Sequence, residues 1–94
     1  MENYFIIRGT NSGVFAGEIE SRNGVEVTMI NVRRLWYWDG AASICELAKN
    51  GTKKPQNCKF TVVVDRIIIL DACEIEECTE KAEKSIKGVK EWIA

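Results

Sequence analysis

The chain has 94 residues, 46% apolar and 29% charged, with 13 Lys and Arg against 14 Asp and Glu, four cysteines and no histidine. The net charge of −1 excludes a generic nucleic-acid coat, and the apolar content excludes a disordered chain. The length suits one small domain, residues 1–94, with a core thin enough that a homo-oligomer is expected.

Met1-Glu2-Asn3 is polar and acidic, and the apolar Tyr4–Ile7 run is too short for a signal core. The run Ile67–Leu70 cannot span a bilayer. A cytoplasmic location with reduced thiols and no membrane contact is expected. Cys45, Cys58, Cys73 and Cys78 form no CxxC pair. No metal site is expected, and the cysteines read as small buried or half-buried side chains.

In chain order, Tyr4–Arg8 is rich in aromatic and β-branched residues and reads as a strand. Gly9–Gly13 is a turn cluster, and Val14–Glu20 a second strand in which Gly17 marks a bulge or close backbone approach. Asn23-Gly24 signals a hairpin. The next strand, Val25–Met29, alternates apolar and polar, and its phase changes at Met29-Ile30. Beyond it Ile30, Val32, Arg34, Trp36 and Trp38 share a face, which predicts a bulge or break near Asn31. Ala42–Lys49 reads as a short helix capped by Asp39 or Ser43 and stopped at Asn50-Gly51. Phe60–Leu70 reads as one bent strand or two, covered on both faces. Ala72–Glu77 continues the sheet with Ile75 inward. Thr79 caps a helix to about Lys87, and the tail carries Trp92 to a dock on the domain or on a neighbour. The expected fold is α+β: a small, strongly curled antiparallel sheet or partial barrel of about five or six strands, one short central helix and one C-terminal helix.

The stretch Arg33-Arg34-Leu35-Trp36-Tyr37-Trp38-Asp39-Gly40-Ala41-Ala42-Ser43 carries the chemistry. Guanidinium forks take phosphate oxygens, aromatic faces stack bases, and small residues ahead of a helix leave backbone N–H groups for an anion. Arg22 in the hairpin and Lys53-Lys54 in the following loop are further candidate contacts. Without histidine the usual general base near neutral pH is missing, no carboxylates pair convincingly, and phosphate-loop and dinucleotide fingerprints are absent. No enzyme activity and no cofactor are expected.

The strings Gly13-Val14-Phe15-Ala16-Gly17, Glu20–Gly24, Arg34–Ser43 and Asn57–Phe60 resemble a family of small bacteriophage and prophage proteins, a domain of unknown function. The resemblance runs nearly end to end and implies action in the cytoplasm of an infected bacterial host. It brings no mapped site residues. The expectation is a phage-encoded binding protein that sequesters a nucleotide-type signal, a cyclic oligonucleotide or ADP-ribose derivative, as a counter-defence. Arg33 or Arg34 would hold phosphate and Trp36 or Trp38 a base. The alternatives are a protein–protein module inhibiting a host protein and, more weakly, a single-stranded nucleic-acid binder.

Overall fold

The computed structural model describes residues 3–94; Met1 and Glu2 lie outside the described residues. The element order is β1 (Phe5–Gly9), β2 (Gly13–Asn23), β3 (Glu26–Tyr37), α1 (Ile44–Asn50), β4 (Lys59–Phe60), β5 (Val64–Ile69), β6 (Ala72–Glu77) and α2 (Glu80–Gly88). Every pairing between these strands is antiparallel, and Phe60 also makes a single parallel bridge to Glu91. The sheet runs β4-β3-β2-β1-β6, and β5 joins the β4 side of β3 farther back along that strand. This is the expected small α+β domain, with a curled sheet that stays open.

The long β2–β3 ladder is bent by two irregularities. Ala16 faces Arg33 but Glu18 faces Ile30, so β3 carries an extra residue where the phase change predicts one. Asn31 sits there at φ 48, the left-handed region that Asn tolerates better than most residues. Gly17 lies opposite. A Cβ on it would stand 2.8 Å from both Val32 Cα and Cβ, so the backbones approach too closely for a side chain. The extra residue keeps Met29 and Val32 on the same side of the sheet. Two residues of β2, from Ile19 to Ser21, then span one of β3, from Met29 to Thr28. The hairpin tip lies one position beyond Asn23-Gly24: Asn23 pairs with Glu26, and Gly24 (φ 63) and Val25 form the loop.

Both sides of the sheet bury apolar residues. On the helix side Tyr4, Ile6, Ala16, Leu35 and Phe60 pack with Leu47, Ala48, Ala82 and Ile86. Inside the curl Ile7, Phe15, Val27, Met29, Val32 and Ile69 form a second cluster. Strand alternation sends neighbours such as Ile6 and Ile7 to opposite cores.

Ser43, not Asp39, caps α1: its Oγ accepts from Glu46 N at 3.2 Å. Thr79 caps α2, accepting from Ala82 N at 3.0 Å, and its hydroxyl donates to Lys49 O at 2.6 Å. One residue thus starts α2 and ties it to the end of α1.

Two expectations are corrected. Phe60–Leu70 forms two strands, and β5 is not covered on both faces. It pairs with β3 alone, at the edge of the sheet, with Val64, Ile68 and Leu70 exposed. Its run of β-branched residues serves the inner core only through Ile67 and Ile69. Among the cysteines only Cys78 is buried; Cys58 is half-buried, and Cys45 and Cys73 are exposed.

Candidate binding surface

Arg33 and Arg34 are adjacent in sequence and point to opposite sides of β3. Arg33 is 2% exposed. Its Nε donates to Thr61 O at 3.0 Å, Nη1 to Ile86 O at 2.9 Å and Val89 O at 3.0 Å, and Nη2 to Phe60 O at 3.3 Å. The guanidinium also lies 5.5 Å from the Phe60 ring centroid. Burial pulls its pKa down, and the nearby Tyr4 and Glu91 oppose this. Arg33 is a clamp between β3, β4 and the end of α2, with no donor aimed at a ligand. It leaves the phosphate-binding set.

Arg34 is half-buried. Its guanidinium stacks 4.5 Å over the Phe15 ring and donates through Nη1 to Ser12 O. Among the described residues no carboxylate lies within ion-pair distance of it.

Trp36 and Trp92 stack on each other, with ring centroids 5.0 Å apart and planes inclined by 29°. The tail is held there by Trp92 N donating to Phe60 O at 2.9 Å. Trp36 is 58% exposed and Trp92 44%, and Tyr37 beside them is 49% exposed. The Lys59 ammonium stands 5.4 Å from the Trp36 ring and 5.6 Å from that of Trp92. Register explains the grouping, because Lys59 is the β4 partner of Tyr37. Trp38 is different: it is partly buried against the helix-side core.

The residues after Trp38 form a braced loop. Asp39 accepts from Gly40 N at 2.8 Å and from Asn57 Nδ2 at 3.0 Å. Those bonds, that of Asn57 foremost, hold its carboxyl below the usual carboxylate range. Gly40 O accepts from Lys53 N at 3.1 Å, and Cys58 Sγ lies 3.6 Å from Asp39 O. Asp39, Gly40, Lys53 and Lys54 therefore come together. Of the N–H groups expected to meet an anion, Gly40 N, Ala42 N and Glu46 N are already occupied, by Asp39 Oδ1, Glu46 Oε1 and Ser43 Oγ. Arg22 stands apart. It bonds Gly24 O at the hairpin tip, seven strand residues from Phe15 and so about 20 Å from Arg34 at strand rise.

Two features escape sequence reading. Lys59 joins the aromatics only through the β3–β4 register. Cys45 on α1 meets Glu74 and Glu76 on β6, with one ligand atom of each within 4.8 Å of the others. The bond between the two carboxyls raises Glu76 and lowers Glu74, and Glu74 also pairs with Arg8 at 2.9 Å. The Cys45 thiol, 3.4 Å from Glu76 Oε2, is pushed up by its hydrogen bond to that carboxyl. The i, i+2 spacing of the glutamates was visible in the sequence, but the thiol comes from about 30 residues away.

Comparison with known families matches residues 2–86 to a family described as Domain of unknown function (DUF6948). No curated protein and no solved structure matches the chain.

Proposed function

The chain belongs to the DUF6948 family of domains of unknown function, and from that premise we propose that it is a non-catalytic recognition domain that binds a protein partner through Trp36, Trp92, Tyr37 and Lys59. The observation that carries this is the solvent-facing Trp36–Trp92 stack with a lysine over both rings. Large, rigid aromatics and a cation at the surface are what interface hot spots use, and here main-chain pairing holds them in place before any partner arrives. The partner would be a protein in the cytoplasm of an infected bacterial host, a setting that rests on the resemblance to phage and prophage proteins. There a small non-catalytic domain would act by occupying a host protein as a counter-defence.

A second reading, sequestration of a nucleotide-type signal, is favoured by one observation. Lys59 puts a phosphate-capable cation beside two indole faces, and Lys53 and Lys54 are exposed in the nearby loop. An oligomer of this chain would then enclose the ligand between subunits. Single-stranded nucleic acid ranks third, because the net charge is −1.

The test is affinity purification of tagged protein from bacterial lysate, followed by titration of the recovered partner against wild type, Trp36→Ala, Trp92→Ala and Arg22→Ala. Loss of about 2 kcal/mol or more, roughly thirty-fold in Kd, is expected for either tryptophan, and no change for Arg22 at the far hairpin. If no protein is retained and a cyclic nucleotide instead raises Tm in a Trp36-dependent way, the second reading replaces the first.

A further inference from the structure

The mouth of the curl holds a groove of about 410 Å³ that contains none of the Trp36–Trp92 surface. Ile67–Asp71 run along one side of it, Asn11 and Ser12 along the other, with Phe15 and Arg34 beneath. Three independent features meet there. First, β5 pairs with β3 only, so the N–H and C=O groups of its other edge have no strand partner. Second, the lining is mainly apolar, and Leu70 is 68% exposed. Third, Arg34 enters the groove with no carboxylate partner.

The arginine is also held in place. Its Nη1 donates to Ser12 O, its plane rests on Phe15, and Gly13 leaves the space it occupies. A Cβ on Gly13 would stand 2.9 Å from Nη1, and Gly13 adopts φ 112, which a side chain would resist. Nε and Nη2 make no bond to the protein among the described residues. The other arginines are engaged differently: Arg8 and Arg66 have glutamate partners, Arg33 is spent on carbonyls, and Arg22 is on the open hairpin. Asp71 borders the same groove, but its carboxylate accepts from Asn11 N, Ser12 N and Ser12 Oγ. Its charge is turned into that loop.

We propose that this groove is a second binding site, which takes an extended apolar peptide segment ending in a free carboxylate. The peptide backbone adds to the open edge of β5, its apolar side chains rest on Ile67 and Leu70, and its terminal carboxylate takes the Nε–Nη2 edge of Arg34. A strand edge supplies main-chain hydrogen bonds, and the neighbouring pocket and cation supply register and direction. Of the possible occupants a carboxylate-bearing strand meets all three features. A second copy offers strand β5 again, whose one carboxylate, Asp65, lies within the strand rather than at its end.

The test uses hexapeptides composed of Val, Ile, Leu, Thr and Ser, prepared as free acids, as C-terminal amides and as free acids with alternate backbone amides methylated. Binding to the full chain is followed by fluorescence anisotropy and by amide chemical shifts. The free acids should bind and shift Asn11, Ser12 and Ile67–Leu70. Amidation of the peptide, or Arg34→Gln in the protein, should each weaken binding about ten-fold, and the two should not add. Backbone methylation should abolish binding. Trp36→Ala should leave it unchanged, which separates this site from the proposed function. Absence of shifts at millimolar peptide overturns the proposal, as does equal binding of acid and amide. Groove shifts that depend on protein concentration without peptide would assign the edge to a second copy instead.

Discussion

At the scale of single residues, the pair Arg33-Arg34 divides between a buried clamp and an open groove. Both look alike in the sequence, and strand alternation alone sends one into the helix-side core and the other into the groove. Arg33 donates four hydrogen bonds to main-chain carbonyls, and no buried side-chain nitrogen or oxygen among the described residues lacks a partner. Removing it strands those carbonyls. Arg33→Ala should cost about 3–5 kcal/mol, in the range for a broken buried charge network. Arg33→Lys should fail to rescue fully, because one ammonium cannot reach four carbonyls on two segments as a planar fork does. Arg34→Gln should cost only about 1 kcal/mol, the worth of a partly exposed cation–ring contact. Urea unfolding with unchanged slope reads all three directly. Equal losses at Arg33 and Arg34 would refute the division. The sequence could show that a guanidinium stood on each side of the strand; it could not show which side the helices would cover.

At the scale of elements, the bent β2–β3 ladder positions both Arg34 and Trp36. Its irregularity was legible: the apolar phase breaks at Met29-Ile30, and Gly17 stands where a backbone must come close. Both signals are local, and the structure joins them across the hairpin. Gly17→Ala should destabilise by about 1–3 kcal/mol, since its Cβ would meet Val32 at 2.8 Å, a contact with backbone that cannot swing away. Asn31→Gly should be close to neutral, while Asn31→Val should cost about 1–2 kcal/mol for forcing a β-branched residue to φ 48. Thermal unfolding of the three variants checks the order. The helices and their caps at Ser43 and Thr79 were legible for the same reason, because a cap is written within four residues. Strand β5 was not. A run such as Val62–Val64 or Ile67–Leu70 reads as fully covered. Whether a second strand lies beyond it depends on sheet order, which composition does not encode. Lys59 was missed for the same cause.

At the scale of the whole molecule, the two cores meet β1 from opposite sides, and the helix-side core encloses two groups that can ionise. Tyr4 is 2% exposed and Cys78 3%, and Cys78 N donates to Tyr4 O at 2.9 Å. Burial pushes the Cys78 thiol up to about 12, and nearby Glu83, Glu76 and Glu77 push the same way. Burial likewise raises the Tyr4 phenol, with Cys78 adding to it and Arg33 opposing. For both groups the folded pKa lies above the unfolded one. Below the ordinary thiol range both states hold their protons, and the stabilisation is complete. As pH rises past about 8.5 the unfolded thiol ionises while the folded one keeps its proton. The unfolded state then binds fewer protons and stability falls, from Cys78 first and from Tyr4 above about pH 10. The urea midpoint should therefore hold steady from pH 7 to 8 and decline progressively from pH 9 to 11. Cys78→Ala should lower the midpoint at neutral pH through the lost packing, yet flatten the decline above pH 9. A variant at an exposed thiol, Cys73→Ser, should do neither. If wild type and Cys78→Ala decline in parallel, the alkaline loss does not come from Cys78.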